Sequence, residues 1–256
     1  CTPFNDPGCR YADSGWAFVY TGSSSGLGTT QSATLLVGDG GVVGAHFGAS
    51  VANAGDVNGD GLGDVIVGAP DEGAAGEGKV FLYLGSPGGL VTTPLWTRTG
   101  SPGAHLGRAV ATAGDFDRDG YSDVLVGGVG SVSLFFGYVG GLVPTPRVFT
   151  GGSTFGAALA TAGDVNRDGF SDVIVGEPGW RFGIGFRTER GRAYVFHGGP
   201  RSTPLPDAPE SVLDTEEILT AFGSSVAAAG DVNGDGFGDV LVGAPGLDLV
   251  SLYAGS

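Results

Sequence analysis

Short apolar runs separated by glycines and acidic residues set the pattern of this chain. Four of them, Val65-Ile66-Val67, Val124-Leu125-Val126, Val173-Ile174-Val175 and Val240-Leu241-Val242, each follow a nine-residue stretch of the form D-x-[DN]-x-D-G-x-x-D. The runs are β-branched and too short for a helix, so each predicts a buried strand. Before each stretch stands a run of small residues, such as Ala49-Ser50-Val51-Ala52-Asn53-Ala54, which predicts a partner strand. A third strand is predicted over 80–84, 132–136, 193–197 and 250–254, and a less regular fourth over 94–99 and 147–150. Two further strands are predicted ahead of the first full unit, over 16–21 and 33–37. Helical periodicity is lacking, and 211–220 is the segment expected as a local helix.

The nine-residue stretches start at Asp56, Asp115, Asp164 and Asp231, so the units are 59, 49 and 67 residues apart. Four strands in about 50 to 60 residues make one propeller blade. The expected fold is all-β, a β-propeller of four-stranded antiparallel blades with about four blades in the chain. Residues 1–15 form a lead and 16–256 the propeller. The propeller divides into a partial blade 16–46, blades 47–105, 106–154 and 155–221, and a partial blade 222–256. This makes 17 blade strands, where a four-bladed ring uses about 16. Open sheet edges are hazardous, so closure within the chain is expected, the N-terminal strands pairing with the last blade. Completion by a second chain, or within a longer parent chain, is the alternative.

The nine-residue stretches carry the chemistry. Oxygen ligands at alternate positions of a tight loop suit a hard divalent cation, and calcium takes roughly six to eight oxygens in irregular geometry. In the first stretch Asp56, Asn58, Asp60 and Asp64 offer side chains and Leu62 a carbonyl. The second offers Asp115, Asp117, Asp119, Asp123 and the Tyr121 carbonyl. The third offers Asp164, Asn166, Asp168, Asp172 and the Phe170 carbonyl, and the fourth Asp231, Asn233, Asp235, Asp239 and the Phe237 carbonyl. Three or four carboxylates so close repel one another without a cation between them. An EF-hand would need Glu at position twelve and flanking helices, whereas Val67, Val126, Val175 and Val242 stand there. A turn rich in Asp, Asn and Gly is the bland reading of one copy, but four copies with acidic residues at positions one, five and nine favour about four calcium ions. Magnesium demands stricter octahedral geometry and fits less well.

Charge agrees with this. The formal net charge is −15, and 13 of the 27 acidic residues lie in the four stretches. Four divalent ions would bring −15 to −7, so the acidity needs no basic partner and speaks against nucleic-acid binding. With 41% hydrophobic residues, the chain is not a disordered one. Cys1 and Cys9 can close a small disulfide loop in an oxidising compartment, or Cys1 can carry the lipid of a bacterial lipoprotein. No apolar run reaches the roughly 18 residues of a membrane span.

The unit as a whole resembles a known family. Phe47-Gly48, then the acidic stretch, then Gly68-Ala69-Pro70 look like the FG-GAP repeats of integrin α-chain β-propellers and their bacterial relatives. Phe155-Gly156 with Gly176-Glu177-Pro178, and Phe222-Gly223 with Gly243-Ala244-Pro245, repeat the pattern. Leu106-Gly107 and Gly127-Gly128-Val129 depart from it. The resemblance implies calcium in the hairpin between the first two strands of each blade, seven blades in a full ring, and extracellular binding or adhesion to a protein or a surface.

A partner site is expected in the longest connection after the second strand of a blade, at Trp180, Arg181, Phe182 and Arg187, since aromatics with arginines compose binding hot spots. The alternatives are a lectin holding sugars on Trp96, Trp180 or Tyr194, and a hydrolase using the propeller channel. No catalytic set is evident: Gly22-Ser23-Ser24-Ser25-Gly26 lacks the strand-to-helix context of a nucleophile elbow. His46 and His105 share one repeat position, which marks them as structural.

Overall fold

A computed structural model describes residues 15–24, 26–28, 30, 32–35, 44–181, 183, 189–201 and 208–256. The Cys1–Cys9 pairing, Phe182 and Arg187 lie outside the described residues. All named elements are strands, apart from one 3-10 turn at Pro245–Leu247. The chain opens on β1 (Ala17–Val19), a minimal hairpin of β2 (Gly22–Ser23) and β3 (Gly26–Leu27), and β4 (Ala33–Leu35), which pairs with β1. The first blade is β5 (Ser50–Gly55), β6 (Asp64–Ala69), β7 (Lys79–Tyr83) and β8 (Trp96–Thr99), paired in that order. The second is β9 (Ala109–Gly114), β10 (Asp123–Gly128) and β11 (Ser131–Phe135), then a small hairpin of β12 (Gly137–Tyr138) and β13 (Gly141–Leu142), and β14 (Arg147–Thr150) on the outer edge. The third is β15 (Ala158–Gly163), β16 (Asp172–Glu177), β17 (Arg192–Phe196) and β18 (Ser211–Asp214), and the last is β19 (Ser225–Gly230), β20 (Asp239–Ala244) and β21 (Leu249–Tyr253).

These are propeller blades: among the described residues, three sheets of four strands and one of three, with the β1–β4 pair beside them. One expectation is corrected: 211–220 is no helix. Ser211–Asp214 pairs with β17, Val212 opposite Tyr194 and Asp214 opposite Arg192, so pairing with the neighbouring strand overrides weak local preference. The fourth strand of the first blade begins at Trp96 rather than Pro94, because proline has no N–H for the ladder. The N-terminal strand is shortened from 16–21 to Ala17–Val19.

The sheets stack through interblade cores. Ile66, Val80 and Leu82 of the first blade meet Val110, Val124 and Phe135 of the second. Phe116, Leu134 and Phe149 of the second meet Val173, Val175 and Phe196 of the third. Ile174, Ala193 and Val195 of the third meet Phe222, Val240 and Val242 of the last. Ala17 and Val19 pack on Phe47, Phe81 and Tyr83 of the first blade.

Among the described residues no strand pairing joins β1 or β4 to the last blade. The β1–β4 pair is spent instead as the sheet covering the first blade. On the last blade, Val250 and Leu252 are 65% and 52% exposed, whereas their repeat equivalents Ala193 and Val195 are 0% and 4% exposed.

The Phe-Gly and Gly-Ala-Pro motifs lock neighbouring blades. Gly48 N–H donates to the Gly68 carbonyl within the first blade (2.9 Å), and the same bond recurs from Gly107 to Gly127, Gly156 to Gly176 and Gly223 to Gly243. Gly68 in turn lies against the second blade so closely that a Cβ on it would stand 2.0 Å from the Gly107 carbonyl. Leu106, where the other units have Phe, is still buried in an interblade core, so this departure keeps the packing.

Candidate metal centres

Each acidic stretch is the turn of the hairpin joining the first two strands of a blade. At its mouth the register shifts by a bulge, between Asn53 and Gly55, Asp123 and Val124, Thr161 and Gly163, and Ala228 and Gly230. Gly55, Gly114, Gly163 and Gly230 sit there with φ of 72–78°, which glycine adopts without a Cβ clash. The bulge turns the first Asp into the loop.

Inside the loop, carboxylates gather backbone amides. Asp56 Oδ1 accepts from the N–H groups of Gly59 and Asp60, and its Oδ2 from Gly61. Asp60 Oδ1 accepts from the Leu62 N–H. Asp115, Asp164 and Asp231 repeat the first role, and Asp119, Asp168 and Asp235 the second. Asp64, Asp123, Asp172 and Asp239 are fully buried. Each accepts one amide from position two of its loop and one from the end of the third strand. For Asp64 these are Val57 and Gly85, both at 2.9 Å.

Burial shapes the acidity of this last carboxylate. It pushes Asp123 up to about 8 and Asp172 up to about 6, and it raises Asp64, against the opposing pull of the two amides in each case. In the second loop, oxygens of Asp115, Asp117 and Asp123 lie within 4.8 Å of one another. Asp117 Oδ1 is buried without a hydrogen-bond partner. An orphan buried acceptor beside two more carboxylates is what a divalent cation would satisfy, so the residues present fit such an ion.

Consecutive loops are tied together. The N–H groups of Ser122, Ser171 and Gly238 donate to the carbonyls of Asp56, Asp115 and Asp164 in the preceding loop. Tyr121 lies over Gly59, Arg118 over Gly169, and Arg167 over Gly236. The four hairpins therefore form one contiguous face.

The other predicted positions are placed differently. Trp180 stacks on Arg192, 3.3 Å from the guanidinium carbon to the ring centroid, and Arg192 also pairs with Asp214 at 2.9 Å. Arg181 is exposed and paired with Glu189. Trp96 packs edge-on to Phe135 in the core between the first two blades. Tyr194 stands edge-on to Phe155, and its hydroxyl donates to Glu177 at 2.6 Å. All three rings offered for sugar stacking are thus engaged by protein.

Comparison with known proteins agrees with this geometry. Residues 155–196 and 222–256 match the FG-GAP repeat. Residues 56–126 and 115–175 match the FG-GAP-like repeat. The chain is an integrin-like FG-GAP repeat protein. It is 39% identical to human integrin alpha-IIb over 226 residues, 82% of this chain and 16% of the relative. It is 33% identical to integrin alpha-4 of Xenopus laevis over 122 residues, 44% of this chain and 12% of the relative. With human integrin alpha-6 it shares 40% identity over 91 residues, 35% of this chain and 8% of the relative. The chain spans less than a fifth of the length of these relatives. No helix among the described residues is long and apolar enough to cross a membrane.

Proposed function

We propose that this chain is a calcium-stabilised, adhesion-type propeller segment that works outside the cell and holds a protein or a surface. The observation that carries the calcium reading is the second loop, where three acidic side chains converge and one buried oxygen has no hydrogen-bond partner. In this reading positions one, three, five and nine of each loop give side-chain oxygens and position seven a carbonyl. The ion replaces repulsion between carboxylates by coordination and pins the hairpin between the two inner strands. Millimolar calcium outside cells suits extracellular modules of modest affinity. The integrin alpha relatives support the adhesion reading.

The partner-binding role falls to the connections on the side opposite the loops, where Arg181 is exposed. Calcium is structural here and takes part in no reaction. Thermal melting with calcium and with a chelator tests the proposal. An ion binding the native state alone at a hundred times its Kd adds about 2.7 kcal/mol per site, so calcium should raise the melting temperature clearly. An unchanged melting temperature after chelation would sink it.

A further inference from the structure

At position three the second loop departs from the other three, and the structure shows what compensates for it. In the first, third and fourth loops an Asn occupies position three. Its Nδ2 donates to Oδ2 of the position-five Asp: Asn58 to Asp60 at 3.0 Å, Asn166 to Asp168 at 2.8 Å and Asn233 to Asp235 at 2.7 Å. In the second loop position three is Asp117, which as a carboxylate has no donor. The equivalent acceptor, Asp119 Oδ2, receives a hydrogen bond from Nη2 of Arg201 instead, at 2.9 Å. Arg201 belongs to the next blade, on the connection that follows β17. Its Nε contacts Asp117 Oδ2, its Nη2 also donates to the Gly137 carbonyl at 3.2 Å, and its guanidinium lies 4.3 Å from the Phe136 ring centroid. The Asp117 side chain beneath it is only 2% exposed.

We propose that Arg201 is a tethered counter-cation of the second loop, supplying from the third blade the donor that Asn supplies within the other loops and lowering that loop's affinity for a divalent ion. This rests on the calcium reading above. At the ligand positions the second loop has four carboxylates where each other loop has three, and the Arg201 guanidinium sits against the extra one, Asp117. The guanidinium relieves the repulsion between Asp117 and Asp119 whether or not an ion is bound, and it holds the connection after β17 against the second blade. It also sets a positive charge beside the ligands that a divalent ion would use. A single charge close to a divalent ion shifts its affinity roughly tenfold even when screened as in water. By linkage, an ion that weakens the Arg201 contacts loosens the connection by the same factor.

The test uses the full chain with Arg201→Gln and with the pair Arg201→Gln/Asp117→Asn. Melting is followed in chelator, and calcium binding by titration calorimetry with native mass spectrometry. In chelator, Arg201→Gln should melt below the wild type, and the pair should recover the wild-type temperature because Asn at 117 restores a local donor. In calcium, Arg201→Gln should tighten one binding event roughly tenfold and leave the others unchanged. Wild-type melting of Arg201→Gln in chelator, no recovery in the pair, or an unaltered calcium isotherm would each overturn the proposal. A wild-type chain that binds no calcium would instead remove the calcium reading, while the melts in chelator still decide the role of Arg201 as a charge partner.

Discussion

Asp123 Oδ2 accepts the Phe116 N–H at 2.8 Å, across seven residues of chain. The same bond joins Asp64 to Val57, Asp172 to Val165 and Asp239 to Val232. One buried carboxylate thus fastens each hairpin turn to its own blade.

That carboxylate makes stability depend on pH. Burial holds the Asp123 pKa at about 8, above its unfolded value near 4. A raised folded pKa contributes stability that is complete below about pH 4 and is lost as pH rises toward 8. In chelator the protein should therefore melt progressively lower between pH 4 and 8, and Asp123→Asn should flatten that slope. With calcium the trend should reverse, because the ionised form is the ligand and binding releases the proton. Melting curves at several pH values, with and without chelator, check both.

Gly68 faces the Gly107 carbonyl of the next blade with no room for a methyl group. Gly68→Ala should lower stability by about 1–3 kcal/mol through forced separation of the two backbones. Gly22→Ala is the control, since nothing lies within 4 Å of a Cβ there, and it should change stability by less than about 0.5 kcal/mol. Chemical denaturation of both variants distinguishes packing from a general effect of losing glycine.

Asp71 bonds to two histidines from successive units, His46 Nδ1 at 2.6 Å and His105 Nδ1 at 2.9 Å. The His46 hydrogen bond is the largest influence lowering the Asp71 pKa, with His105 adding to it. A depressed pKa contributes stability above the unfolded value near 4, lost as pH falls. Asp71→Asn should cost less than about 1 kcal/mol at neutral pH, because all three groups are substantially exposed. Its melting temperature should meet that of the wild type near pH 3.

Phe222 closes the core between the third and last blades, with Tyr253 edge-on at 6.2 Å. Phe222→Ala should cost about 3–5 kcal/mol. The loss should appear first in proteolysis of β19 to β21, the elements that lean on this ring.

Most of the architecture was legible because each unit repeats three local signals: an acidic turn, a β-branched strand and a glycine pair. Four Asp and Asn residues at fixed spacing define a hairpin mouth whatever lies around it. What escaped is set by contacts in trans. Arg201 serves a loop 82 residues before it, and nothing near either residue announces the other. Asp71 was missed as the link between His46 and His105, although their shared repeat position was visible. The segment 211–220 reads as helical because its Thr, Glu and Leu residues carry little alternation, and only the waiting edge of β17 makes it a strand. Counting strands also does not say which face they cover: among the described residues β1 and β4 pair with each other and pack on the first blade. Trp180 belonged to the expected partner site by composition, and its ring is stacked on Arg192 of the same blade.

The unequal exposure of Val195 and Leu252 has a kinetic consequence. Among the described residues the cores lie between neighbouring blades, so the opening free energy of a blade is set by how many interfaces it shares. The second and third blades each share two full ones. Among the described residues the last blade shares one, with the third blade, and the β1–β4 pair packs on the first blade. Amide protons of β10 and β16 should therefore exchange with solvent slowest, and those of β1 and β21 fastest, so that unfolding enters this molecule from its ends and travels inward.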